Sequence, residues 1–155
     1  MLFVLTVSSV AFSQSTFKDD VDILQSVYGK EKTELVQKYM ALSGTQADAF
    51  AKVYTDYEVE RKTLGQKKIQ IIQNYATSYQ TLNDEVADKL ASEMIDNNIA
   101  YDKLYAKYYK QSKKAIGAVN ALKFIQLEIY LQTIIRLKIQ TEIPFIGEMD
   151  LIKTN

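Results

Sequence analysis

The sequence predicts an all-α protein, an elongated four-helix molecule built on a long antiparallel helical hairpin. Three observations predict it. Apolar residues recur at spacings of three, four and seven along most of the chain, the pattern of a buried helix stripe. Strand signals are nearly absent, with no alternating Val/Ile/Thr runs and no Asn-Gly or Asp-Gly hairpin. Only 1 Pro and 5 Gly interrupt 155 residues, so breaks are few and the helices long.

The chain opens on Leu2 to Phe12, LFVLTVSSVAF, an apolar run of 11 residues. With the small residues Ala11 and Ser13 at the minus-three and minus-one positions of a cleavage site, this reads as a secretory signal peptide over 1–13. It is shorter than the ~20 apolar residues needed to span a bilayer. No Lys or Arg precedes it. Residues 14–19 form a linker, and the helical domain occupies 20–143. Its first helix is expected from Asp20 to Ala41. Val21, Leu24, Val27 and Tyr28 open the stripe, and Leu35, Val36, Tyr39 and Met40 continue it, with Gly29 loosening the middle. Leu42-Ser43-Gly44-Thr45-Gln46 then stops and restarts the chain. Ser43 and Gln46 have the spacing of a capping box, in which each side chain satisfies a free backbone N–H of the new helix.

The second helix is expected from Gly44 to Thr81, about 57 Å at 1.5 Å per residue. Phe50, Val53, Tyr54, Tyr57, Leu64, Ile71, Ile72, Tyr75, Tyr79 and Leu82 form its stripe, which thins at Gly65, Lys67 and Lys68. Asn83 is a good N-cap for the third helix, and Asp84 and Glu85 suit the positive end of its dipole. That helix runs to about Lys114, with Val86, Leu90, Met94, Tyr101, Leu104, Tyr105, Tyr108 and Tyr109 facing inward. So short a connection makes the second and third helices an antiparallel hairpin. Ile116-Gly117-Ala118 breaks the pattern, and the fourth helix, Val119 to Glu142, is the most apolar. Pro144 ends it and begins a tail over 144–155.

Composition excludes several chemistries. The chain has no His, Cys or Trp and carries 19 basic and 19 acidic side chains. The usual transition-metal ligand sets and the Ser–His–Asp and Cys–His arrangements cannot be built. Neither G-x-G-x-x-G nor G-x-x-x-x-G-K-[ST] occurs. A non-enzymatic protein without cofactor, metal or small-molecule substrate is expected. Neutral net charge and export both point away from nucleic acid.

Three features are able to carry function. The fourth helix is apolar nearly all round: Leu122, Ile125 and Ile129 lie on one face, Phe124, Leu127, Leu131 and Ile134 on another. It either fills the groove of the hairpin or presents a surface to a partner. Tyr101 to Lys114, YDKLYAKYYKQSKK, has five Lys and no acid after Asp102. The hairpin sets Lys107 and Lys110 of this block opposite Asp56, Glu58 and Glu60. A solvated face accounts for it, but Lys stems and Tyr rings also cover apolar segments while their tips stay wet. The acids Asp84, Glu85, Asp88, Glu93 and Asp96 gather near one helix start, where the helix dipole is sufficient reason for them.

Leu42-Ser43-Gly44-Thr45-Gln46 at a helix start, in an exported helical chain, resembles the L-T-x-x-Q motif of the Spy/CpxP-like periplasmic proteins. Ser43 keeps the capping hydroxyl of Thr. A second copy falls at Leu82-Asn83-Asp84-Glu85-Val86, where Asn83 replaces Thr and Val86 replaces Gln. The segments Phe50 to Glu58, Ala121 to Glu128 and Ile143-Pro144-Phe145 are similar to those of exported members from Bacteroidetes-type bacteria. The resemblance covers about Asp20 to Phe145. It implies a helical hairpin, often a cradle-shaped dimer, with ATP-independent chaperone or envelope-stress activity in the periplasm.

The expected function is therefore a periplasmic protein-binding module that shields apolar client segments. Tyr101, Tyr105, Lys107, Tyr108, Phe124, Leu127, Leu131 and Ile134 are the expected contact residues. Expected partners are unfolded clients, with a homodimer among the assemblies considered. The alternative is a regulatory or structural module docking on one envelope or sensor protein.

Overall fold

Helix formers dominate the chain from Gly44 onward, and the backbone follows them with few interruptions. The computed structural model describes residues 31–142, with side chains as far as 137. The expected export signal at 1–13, the linker at 14–19, residues 20–30 of the first helix with Gly29, and the tail lie outside the described residues. Among the described residues there is no strand, and the fold is all-α. None of the described helices is long and apolar enough to cross a membrane.

The chain divides into two units, Met1–Tyr39 and Met40–Asn155. Of the first, the described residues are helical and begin α1, which covers 31–40. Val36 is buried, whereas Leu35 and Tyr39 are exposed, so the expected stripe is narrower than its apolar residues suggested.

In the second unit, α2 spans Gly44–Ser78 and tightens into a 3-10 turn at Tyr79–Thr81. The expected end of the α-helix at Thr81 is thus three residues late. Next, α3 spans Asp84–Glu142 with a single non-helical residue inside it, Gly117 at φ 82°, ψ 163°. We call 84–116 its proximal arm and 118–142 its distal arm. The break expected over Ile116 to Ala118 is one residue wide. Only glycine commonly adopts this backbone conformation, and an added Cβ there would meet nothing within 4 Å. The requirement for Gly at 117 is therefore one of backbone angle, not of space.

Cross-helix partners give the direction of packing. Lys67 pairs with Glu93 at 3.6 Å, the Asn97 side-chain amide donates to the Leu64 carbonyl at 3.1 Å, and Tyr108 donates to Glu60 at 2.9 Å. Numbers fall along α2 as they rise along the proximal arm, so the two run in opposite senses. Past Gly117 the order reverses. Phe124 lies against Phe50 and Tyr54, and Glu128 bonds Tyr57. The distal arm therefore returns alongside α2 in the same sense as α2.

The two expected caps behave differently. The Val86 backbone N–H donates to Asn83 Oδ1 at 3.0 Å, and Ala87 N–H donates to the Asn83 carbonyl at 2.9 Å. Asn83 is the N-cap that its sequence position indicates. Ser43 also occupies an N-cap position, in extended backbone, but its side chain makes no capping hydrogen bond. The expected capping box with Gln46, which is exposed, is corrected accordingly. The physical reason is Gly44, whose φ of +55° turns the chain left-handed immediately after Ser43. The N3 amide is thereby swung away from the hydroxyl that should accept from it.

Asn83→Ala is expected to lower unfolding stability by about 1 kcal/mol in urea melts, while Ser43→Ala shifts it by less than about 0.5 kcal/mol.

Candidate functional site

The core is built around one ring. Phe124 of the distal arm is fully buried and meets Phe50 at 5.1 Å and 80°, Tyr54 at 6.0 Å and 81°, and Tyr57 at 5.2 Å and 81°. Tyr57 meets Tyr108 of the proximal arm at 5.2 Å and 79°. These edge-to-face pairs are each worth ~0.5–1.5 kcal/mol beyond area burial. Spacings of 3 and 4 place Phe50, Tyr54 and Tyr57 on one face of α2, which is why three rings reach one partner.

Several expected contact residues belong to this core. Tyr101, Tyr108, Phe124, Leu127 and Leu131 are buried, and Tyr105 is half-buried. Lys107 and Ile134 are exposed. Burial removes the first five from the surface on which a client would rest. Their role is to dock the distal arm on α2 and the proximal arm. Of the two arrangements open for the fourth helix, groove filling describes its inner face. Its outer face is a separate surface: Val119, Leu122, Ile129, Tyr130, Ile134 and Leu137 are all exposed. Leu122 and Ile129 were expected on one face, as found. Ile125, assigned with them, is buried.

That outer face has a simple electrostatic character. Between Ala118 and Leu137 the charged residues are Lys123, Glu128 and Arg136. Glu128 is fully buried, so the charges available to solvent over this stretch are cationic. Tyr57 Oη donates to Glu128 Oε2 at 2.7 Å, and this buried bond links α2 to the distal arm. Beside it, Arg61 donates to Glu58 through Nε at 2.8 Å and through Nη2 at 3.0 Å, with both residues buried. Burial acts against the charged guanidinium, but the bond to Glu58 and its charge outweigh that and hold Arg61 protonated.

The Lys/Tyr block is only partly tied down. Lys107 and Tyr108 both donate to Glu60 Oε1, and Lys107 also lies 5.2 Å from the Tyr108 ring centroid. The hydrogen bond from Lys107 holds the Glu60 carboxyl below its ordinary value, with help from Tyr108 and against the effect of burial. Glu58, expected opposite the lysines, pairs with Arg61 in the core instead. A shallow groove beside Glu60 is lined by Val59, Thr63, Leu64, Ala100, Lys103, Leu104 and Lys107. Glu60 is its one carboxylate. Among the described residues, no cluster of three or more acids is placed to hold a metal ion.

Sequence reasoning missed Glu58, Arg61, Asn97, Glu128 and Gln132 as interior residues. Two signals were present. Glu58 and Arg61 have the i, i+3 spacing of a pair that neutralises itself, in step with Tyr54 and Tyr57. Glu128 is the one acid between Ala118 and Thr141 of a largely apolar helix.

Tyr57→Phe leaves the buried Glu128 carboxylate without the phenol donor and is expected to cost about 2 kcal/mol, read from urea unfolding. The tyrosines also set an alkaline limit. Burial and the neighbouring Glu128 push the Tyr57 phenol up, the same causes raise Tyr105, and burial with Glu60 raises Tyr108. Above pH ~10 the unfolded chain loses phenolic protons that the folded chain keeps, so stability falls as pH rises. Lys68 acts oppositely: burial and Arg136 push its amine down to about 8, so it adds stability from about pH 8 to its unfolded value near 10.4. Titration followed by tyrosinate absorbance and circular dichroism should show cooperative unfolding that coincides with tyrosine ionisation. No protein-family model, curated protein or solved structure matches the chain.

Proposed function

We propose that this is an exported, non-enzymatic protein-binding module of the ATP-independent chaperone or envelope-stress type. In this reading it is an elongated four-helix protein, and its long hairpin serves as the rigid support for an amphiphilic surface. The observation that carries the proposal is the outer face of the distal arm. Six exposed large apolar side chains, Val119, Leu122, Ile129, Tyr130, Ile134 and Leu137, follow helical spacing there. Soluble proteins rarely leave such a stripe open without a use for it. Lys123 and Arg136 flank it, and no exposed acid lies between Ala118 and Leu137. Apolar client segments with acidic neighbours fit that chemistry. Binding needs no nucleotide, because shielding is driven by removal of apolar surface from water.

The expected site moves outward under this reading. Ile134 remains within it, and Leu122, Ile129, Tyr130 and Leu137 replace the buried Phe124, Leu127 and Leu131. Lys107 with its aromatic neighbours on the proximal arm is a secondary contact.

The full chain is expected to suppress aggregation of a chemically denatured client at stoichiometric ratios, measured by light scattering. Paired Ile129→Asp and Tyr130→Asp substitutions should weaken suppression several-fold while helicity is retained. Absence of suppression by the wild-type chain overturns the reading. Saturable capture of one envelope protein in its place would favour a regulatory docking module.

A further inference from the structure

We propose that the distal arm is exchangeable between two copies of the chain, with Gly117 as the hinge. In the exchanged dimer Gly117 becomes helical, α3 runs straight through, and each distal arm docks on α2 and the proximal arm of the other copy. This inference does not rest on client binding.

Three observations carry it. The first is the connection itself. Gly117 is the one non-helical residue inside Asp84–Glu142, and its φ of 82° and ψ of 163° reverse the chain without any loop. Short hinges favour exchange of the element that follows them. The second is that the docking contacts are indifferent to which copy supplies the arm. Phe124 against Phe50, Tyr54 and Tyr57, and the bond from Tyr57 to Glu128, re-form unchanged across a dimer. The exchange therefore loses none of the core and needs only a change of backbone angle at one glycine.

The third is the apolar surface left open beside the hinge. The inner stripe of the proximal arm runs through Asn97, Tyr101, Leu104, Tyr108, Ser112 and Ile116, all buried, and so stays covered up to the residue before the hinge. In the folded-back chain the turn puts Val119, at 82% exposure, and Leu122, at 52%, in solvent just beyond the hinge. In the exchanged dimer the two straight helices pass each other at this point, and these side chains cover one another.

Light scattering after size exclusion tests the proposal on three full-length proteins refolded at high concentration. They are the wild type, Gly117→Ala, and a variant with Gly-Ser-Gly-Ser inserted after Gly117. Alanine strongly disfavours the folded-back angles, so the dimer-to-monomer ratio should rise at least about tenfold in Gly117→Ala. The longer hinge lets the arm fold back freely, so the inserted variant should be monomeric. The wild type should show both species. A monomeric Gly117→Ala protein of wild-type stability overturns the proposal. If Gly117→Ala fails to fold, the other two proteins decide. A wild-type dimer lost on insertion supports exchange; equal dimer fractions in both, or a strictly monomeric wild type, overturns it.

Discussion

One residue directs the packing of the second unit. Gly117 turns the most apolar segment of the chain back on the helices that precede it, and the rest of the core follows from that reversal. With the turn made, Phe124 reaches the three rings of α2 and Glu128 reaches Tyr57. Without it, Phe50, Tyr54 and Tyr57 would face water on one side, as an antiparallel helix pair cannot enclose its own aromatic face. The backbone angle is permitted by the absence of a single carbon atom, a small cause for so large a share of the buried surface.

The interior that results is unusually polar for a helical core. Glu58, Arg61, Asn97, Ser112, Glu128 and Gln132 are all buried. Buried charge is costly unless paired, and the pairing is local where it can be: Glu58 and Arg61 satisfy one another on the same helix. The Tyr57 phenol donates to Glu128 between helices, so this bond adds specificity as well as attraction. A slipped distal arm would bury Glu128 away from its phenol. The polar core thereby fixes the register that apolar packing alone would leave loose.

Much of the helical framework was legible in the sequence because it depends on local rules. Apolar periodicity marked α2 and α3, Asn83 marked the start of α3, and Gly117 marked its interruption. The first cap was misread because the motif around Ser43 includes Gly44, and the sequence does not reveal which sign of φ a glycine adopts. The candidate surface was misread for a different reason. A helix apolar on both faces gives no internal indication of which face is covered, since Phe124 and Ile129 look alike by composition. That choice is made by the rings of α2, far away in sequence. Glu58 and Arg61 were hidden by the reasonable expectation that charges face water, which fails when two of them neutralise each other.

The position of the distal arm along the chain has a temporal consequence. Synthesis delivers α2 and the proximal arm before the segment that covers them. For that interval the aromatic face of Phe50, Tyr54, Tyr57 and Tyr108 is open, and the nascent chain carries an unsealed cleft. Whatever attends the chain at that stage meets a surface that the finished molecule conceals.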